Sequence, residues 1–310
     1  MEWKATHRFA EASFVFLTQE GFTTCSYDGL SFYDSSFTLK DRWIDFFSPD
    51  ATYRDKDSLF LRNDELGIEK VSLKTHKRVA FVAKRKDEEW LGGEFFKTEK
   101  GLSLIAFQKE DPYLVTYSLE NLEETERILL PENVLFGCSV PFLNAVIVYG
   151  DKEGYLLKGK SLTPLPFSFP EGAHFFVDPT RPLLYVSGGL GIKVYDERLD
   201  EIGRMDLISE EQEETEEETV PFFSFDRKPR RRSYPKEVIL SACVFTPDTF
   251  LLLVSAFDRP LSHLSLVSLK DGKPLFTIDT PFRIETIAPV KGKYVIFKAQ
   301  NSCHVLEVKV

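Results

Sequence analysis

Apolar positions along the chain come in short runs, and the 3.6-residue recurrence of a helix face is nearly absent. Runs of roughly four to eight β-branched, aromatic or leucine residues recur throughout. They include Ser13 to Leu17, Leu59 to Leu61, Leu102 to Phe107, Tyr113 to Tyr117, Ala145 to Tyr149, Leu183 to Val186, Phe250 to Val254 and Tyr294 to Phe297. Turn signals separate them: Gln19-Glu20-Gly21, Asp28-Gly29, Asp151-Lys152-Glu153-Gly154, Lys270-Asp271-Gly272-Lys273 and Lys291-Gly292-Lys293. Gly and Asx residues accept the backbone angles that tight hairpins require. Many short strands at close spacing predict an all-β sandwich, barrel or propeller.

Internal repetition chooses among these. Phe47-Ser48-Pro49-Asp50, Phe176-Val177-Asp178-Pro179 and Phe245-Thr246-Pro247-Asp248 are alike, and each is followed by an apolar strand: Ser58 to Leu61, Pro182 to Val186 and Phe250 to Val254. Third strands follow at Gly191 to Asp196 and Leu264 to Leu269, and a fourth at Lys273 to Ile278. Phe47 and Phe176 lie 129 residues apart, three steps of 43, and the 69 from Phe176 to Phe245 becomes 42 once 209–235 is set aside. A repeat of roughly 40–45 residues carrying four strands is the period of a propeller blade.

On these residues the chain resembles the β-propeller superfamily, closest in style to WD40 and YVTN-type repeats. The F-S-P-D and F-T-P-D turns, the paired strands after them, and strand endings such as Phe32-Tyr33-Asp34 and Val194-Tyr195-Asp196 carry the resemblance. The Gly-His and Trp-Asp signatures of true WD40 repeats are missing. The resemblance implies a seven-bladed ring of four-stranded antiparallel blades, with six or eight blades left open. The expected units are 11–44, 45–86, 87–131, 132–170, 171–208, 237–281, and 282–310 completed by 1–10. In such rings the N-terminal strand joins the last blade, which leaves no unpaired gap in the circle.

One stretch breaks the pattern. Residues 209–236 hold a glutamate block (Glu210 to Glu218), the apolar knot Val220-Pro221-Phe222-Phe223-Ser224-Phe225, and a basic block around Arg230-Arg231-Arg232. Like-charge runs are typically solvated loops. Three phenylalanines flanked by charge also suit an anchor for a partner's groove. Phe222, Phe223, Phe225, Arg230, Arg231 and Arg232 are therefore the expected partner-binding residues, on a charged insertion into a single domain spanning 1–310.

Charge sharpens the picture of partners. The chain carries 39 Lys+Arg against 49 Asp+Glu, net −10; residues 209–236 contribute eight acids and six bases, so −8 belongs to the rest. A body of that charge repels a polyanion, which argues against nucleic acid and for protein partners. No stretch approaches the ~18 uninterrupted apolar residues of a membrane span, and the start lacks a secretory h-region. A cytoplasmic protein without a membrane anchor is the expectation. Many charges beside only four Gln, five Asn and 2 Met follow a trend described for thermophiles.

Candidate chemistry is sparse. Cys25, Cys138, Cys243 and Cys303 lie in apolar runs without a CxxC pair, where cysteine acts as a small hydrophobe. There is no GxSxG, Walker A or HExxH motif; Gly188-Gly189-Leu190-Gly191 reads as a hairpin turn. Propeller enzymes work at the central channel, and Glu94, His174, Arg283 and Glu285 fall near channel-facing strand ends, so a hydrolase or lactonase-like site with a metal or an acid/base pair is the alternative. The leading expectation is a non-catalytic scaffold for protein–protein interaction, a subunit of a larger complex, with no cofactor or metal.

Overall fold

A computed structural model of the chain describes residues 7–18, 21–27, 29–36, 38–43, 49–90, 95–178, 180–188, 191–206, 237–256, 262–270, 272–280, 284, 286–290, 294–299 and 302–308. Their strands form seven antiparallel sheets. Blade 1 comprises Ala12–Leu17, Gly21–Ser26, Gly29–Asp34 and Leu39–Trp43. Blade 2 comprises Ala51–Asp55, Ser58–Asn63, Gly67–Ser72 and Lys77–Ala83. In blade 3 the short Glu88–Glu89 and Phe96–Thr98 share one side of Gly101–Gln108, which is followed by Asp111–Tyr117 and Glu124–Leu129. Blade 4 is Phe136–Val140, Ala145–Tyr149, Gly154–Lys158 and Ser161–Pro164, and blade 5 is His174–Val177, Leu184–Gly188, Gly191–Tyr195 and Glu201–Asp206. Blade 6 is Glu237–Thr246, Thr249–Ala256, Ser262–Ser268 and Pro274–Thr280. Blade 7 takes Thr286–Val290, Tyr294–Ala299 and Ser302–Glu307 from the end of the chain and His7–Ala10 from its start.

The expected ring is therefore the observed one, closed by the N-terminal strand. Its register is His7 opposite Val305, Arg8 opposite His304, Phe9 opposite Cys303 and Ala10 opposite Ser302. From the third blade to the seventh, the first strand of each blade lies against the first strand of the next, which places first strands innermost and fourth strands outermost. With that order, outer-to-inner connections and second-to-third turns share one face, called upper here. First-to-second and third-to-fourth turns occupy the lower face.

The core explains the sequence pattern. Among the described residues the buried apolar side chains gather in seven clusters, one between each pair of neighbouring blades. A middle strand thus feeds two clusters at once: Leu251 and Leu253 pack toward blade 7, while Phe250, Leu252 and Val254 pack toward blade 5. Both faces are buried, so these strands read as unbroken apolar runs rather than alternating ones. Aromatic rings fill the gaps. Tyr185 and Phe250 meet edge to face at 4.6 Å, and Tyr149 lies 4.3 Å from Phe175. Such pairs add about 0.5–1.5 kcal/mol beyond the area they bury.

Local chemistry repeats with the blades. The Tyr-Asp endings close third strands: Asp34 accepts the Ser36 and Thr38 N–H groups, and Asp196 accepts those of Arg198 and Asp200. Ser118 and Ser268 hydroxyls each accept the N–H two residues on. These are Asx- and Ser-type turns. In blades 1, 2, 3, 5 and 6 the outer strand then carries a one-residue bulge, at Lys40, Val79, Thr125, Ile202 and Leu275. A bulge adds local twist to the strand that carries it.

One part of the repeat reading shifts. Asp178 and Asp248 lie at or just past the ends of first strands, whereas Asp50 precedes its first strand, Ala51–Asp55. The Phe47 motif is one strand out of step with the other two. A Pro-Asp pair suits any sharp loop, so likeness of residues there does not imply likeness of position.

Candidate interaction surface

Of the four channel candidates, only His174 is among the described residues; Glu94, Arg283 and Glu285 lie outside them. His174 is exposed at the start of the innermost strand of blade 5, and its backbone carbonyl accepts the Ser187 hydroxyl at 3.5 Å. Phe222, Phe223, Phe225, Arg230, Arg231 and Arg232 also lie outside the described residues. The strands on either side bracket them: the last strand of blade 5 ends at Asp206 and the first of blade 6 begins at Glu237. All of 207–236 thus belongs to one outer-to-inner connection, where the step from blade 3 to blade 4 uses only 130–135.

Buried charge in the ring is organised as struts. On the lower face, the Asp178 carboxylate is fully covered and accepts the Thr180 N–H and hydroxyl at 2.8 Å each, the Arg181 N–H at 3.1 Å and Arg181 Nε at 2.7 Å. The Tyr185 hydroxyl donates to the same carboxylate at 3.3 Å. Burial alone would raise the Asp178 pKa, but these hydrogen bonds and the guanidinium outweigh it and hold the carboxyl below the usual range. Burial likewise pushes Tyr185 up to about 12.

Blades 2 and 3 hold the other charged groups. Arg127 reaches Glu124 at 3.0 Å and buried Glu88 at 3.2 Å, with Arg85 on Glu124 at 2.7 Å. These bonds raise the Arg127 pKa further and lower that of Glu124. Arg62, itself 1% exposed, meets Asp64 at 2.7 Å and lies over the Phe95 ring. Glu69 is wholly buried; desolvation raises its pKa, opposed by Arg78 at 3.0 Å. Arg78 itself lies over the rings of Trp43 and Phe81. Glu69 and Arg78 join neighbouring strands of blade 2, and Arg127 and Glu88 lie in one sheet, blade 3.

The four cysteines are free thiols, with Cys25 and Cys303 buried and the other two partly so. Burial lifts the Cys243 thiol to about 12, so it remains protonated near neutrality. Among the described residues no group of three or more His, Cys, Asp or Glu could hold a metal ion, and no helix is long and apolar enough to cross a membrane.

The surface does hold one feature that the sequence reading passed over. Residues 74–86 contain Lys74, Lys77, Arg78, Lys84, Arg85 and Lys86 and no acid. They form the outer strand of blade 2 and its flanks. The signal was present as charge without acid over thirteen positions, but the denser Arg230-Arg231-Arg232 run overshadowed it.

The fold is a seven-bladed β-propeller. The chain superposes on the β-propeller domain of Cps50 (Swd1) from Myceliophteria thermophila with a TM-score of 0.67, at 10% sequence identity, over 99% of this chain and 100% of that one. No family model matches the sequence, and no curated protein matches it. The likeness to Cps50 is one of fold.

Proposed function

We propose that the protein is a non-catalytic propeller scaffold that binds protein partners, as a subunit of a larger complex in the cytoplasm. In this reading 1–310 is one domain, 209–236 is a charged insertion between blades 5 and 6, and Phe222, Phe223 and Phe225 anchor a partner with Arg230, Arg231 and Arg232 beside them. One observation carries it. The acidic block, the phenylalanines and the basic block all fall within a connection that the ring needs only a few residues to make. Chain surplus to a rigid scaffold is where binding function concentrates. The likeness to the Cps50 (Swd1) β-propeller domain supports the rigid ring on which this reading sets the insertion.

Deleting 209–235 tests the reading. The expected outcome is an almost unchanged melting temperature together with loss of the chain that co-purifies from the native source. Co-purification that survives the deletion would rule out the tether.

A further inference from the structure

The outer strand of blade 2, Lys77–Ala83, ends its sheet, so its outward backbone groups face no further strand of that sheet. Residues 74–86 carry six bases and no acid, while the other positions hold 33 bases against 49 acids, net −16. Three of the six are neutralised: Lys74 pairs with Asp57 at 2.7 Å, Arg78 with Glu69 at 3.0 Å and Arg85 with Glu124 at 2.7 Å. Lys77 and Lys86, both exposed, stand at opposite ends of the strand without an ion pair among the described residues. Concentrated positive charge on an acidic body focuses attraction for anionic groups.

Between these ends Val79 to Ala83 are apolar, with the Arg78 guanidinium over the Phe81 ring. Val79 is 55% exposed and Phe81 44%, and the Lys84 N–H bond to the Leu66 carbonyl brings Leu66, 48% exposed, to the upper end. Val79 is the bulge residue, so it departs from the in–out alternation of its neighbours. Lysines alone on an edge strand are the usual guard against unwanted pairing. That role explains Lys77; other outer strands also expose Leu39, Leu129, Ile202 and Leu275, and here Val79 and Phe81 are set between two lysines. Other outer strands differ in charge: those of blades 1, 3, 5 and 6 include Asp41, Glu124, Glu201 and Asp279, and that of blade 4, Ser161–Pro164, has no charge.

We propose that this edge docks an extended acidic segment of a partner protein, added as a fifth strand to blade 2. Carboxylates of the segment would face Lys77 and Lys86 at the two ends, and its alternate apolar side chains would cover Val79 and Phe81. Main-chain pairing would supply affinity, and the side chains specificity. Charge complementarity selects the occupant, and the apolar centre favours a peptide over a nucleic acid backbone. The proposal rests on the scaffold reading but uses a different surface from 209–236.

The test uses the full chain and a fluorescent ten-residue peptide of alternating Glu with Val or Ile. Saturable one-to-one binding that weakens with salt is expected. The double variant Lys77→Glu/Lys86→Glu should weaken it at least tenfold, and so should Val79→Ser, with melting temperatures unchanged. A peptide N-methylated at alternate amides should fail to bind. Absence of binding at millimolar peptide, equal binding by both variants, or equal binding of the N-methylated peptide would each overturn the proposal. So would tighter retention of a single-stranded DNA oligonucleotide or of phosphatidylserine vesicles that the double variant abolishes. Since none of these arms depends on 209–236, failure here leaves the deletion experiment free to support or reject the scaffold reading on its own.

Discussion

Removing residues 1–10 takes away the fourth strand of blade 7 and reopens the ring. The strand pairs over four residues with Ser302–Glu307. Its ladder gains about 1 kcal/mol per hydrogen bond, which is nearly offset by the 1–2 kcal/mol per residue of ordering the backbone. The net loss therefore comes from side chains. Phe9 packs beside Phe22 at 6.3 Å and Tyr33 at 5.4 Å, across the seam between blades 7 and 1. In the same cluster Val305 is 0% and Cys303 1% exposed. Uncovering half-buried Phe9 and part of these neighbours costs about 3–4 kcal/mol at the usual apolar coefficient, a large share of the 5–15 kcal/mol typical of folded proteins. For a chain of this size that corresponds to a fall in Tm of roughly 5–6 °C. Scanning calorimetry of the truncated and full chains measures it, with Phe9→Ala expected to give about half the effect. A truncated protein whose Tm stays within about 1 °C of the full chain would refute closure by this strand.

The struts make further expectations. Asp178→Ala strands the Arg181 and Tyr185 donors and should cost about 2–4 kcal/mol in urea unfolding at neutral pH. Because the Asp178 pKa is lower in the fold than in the unfolded chain, its contribution is complete above the unfolded value. It fades as pH falls through the folded one, so the deficit of Asp178→Asn should shrink below about pH 4. Glu69 has the opposite sign. Its raised pKa means that stability declines as pH rises from the ordinary glutamate value through the folded one. Its partner Arg78 is half exposed and can rehydrate, so Glu69→Gln should change stability at neutral pH by less than about 1 kcal/mol, and a loss above about 3 would contradict this. At Gly67, φ is +146° and a Cβ would stand 2.1 Å from the Val82 carbonyl oxygen; Gly67→Ala should cost about 2 kcal/mol or more in the same assay.

Much of the ring was legible in the sequence because burial writes directly onto residue type. Strands buried on both faces must be apolar throughout, so runs such as Phe250 to Val254 mark second strands without ambiguity. The unit boundaries follow: the expected 132–170 contains the observed Phe136–Val140 through Ser161–Pro164, and 237–281 contains Glu237–Thr246 through Pro274–Thr280. Asp34 and Asp196 were visible because a carboxylate capping a turn is a local device. What depends on register was not visible. The bulges at Val79, Ile202 and Leu275 are defined by the strand opposite, and no property of those residues marks them. The false equivalence of Phe47 has the same origin, since local turn chemistry carries no information about which pair of strands it joins. The basic edge of blade 2 was readable as composition, but its meaning required knowing that Lys77–Ala83 is outermost.

Native mass spectrometry of the complex isolated at low salt from the protein's own source bears most directly on the scaffold reading. The expected result is one copy of this chain bound to at least one further polypeptide in fixed ratio, with that polypeptide lost when 209–235 is deleted. A mass equal to the chain alone, before and after the deletion, would contradict it.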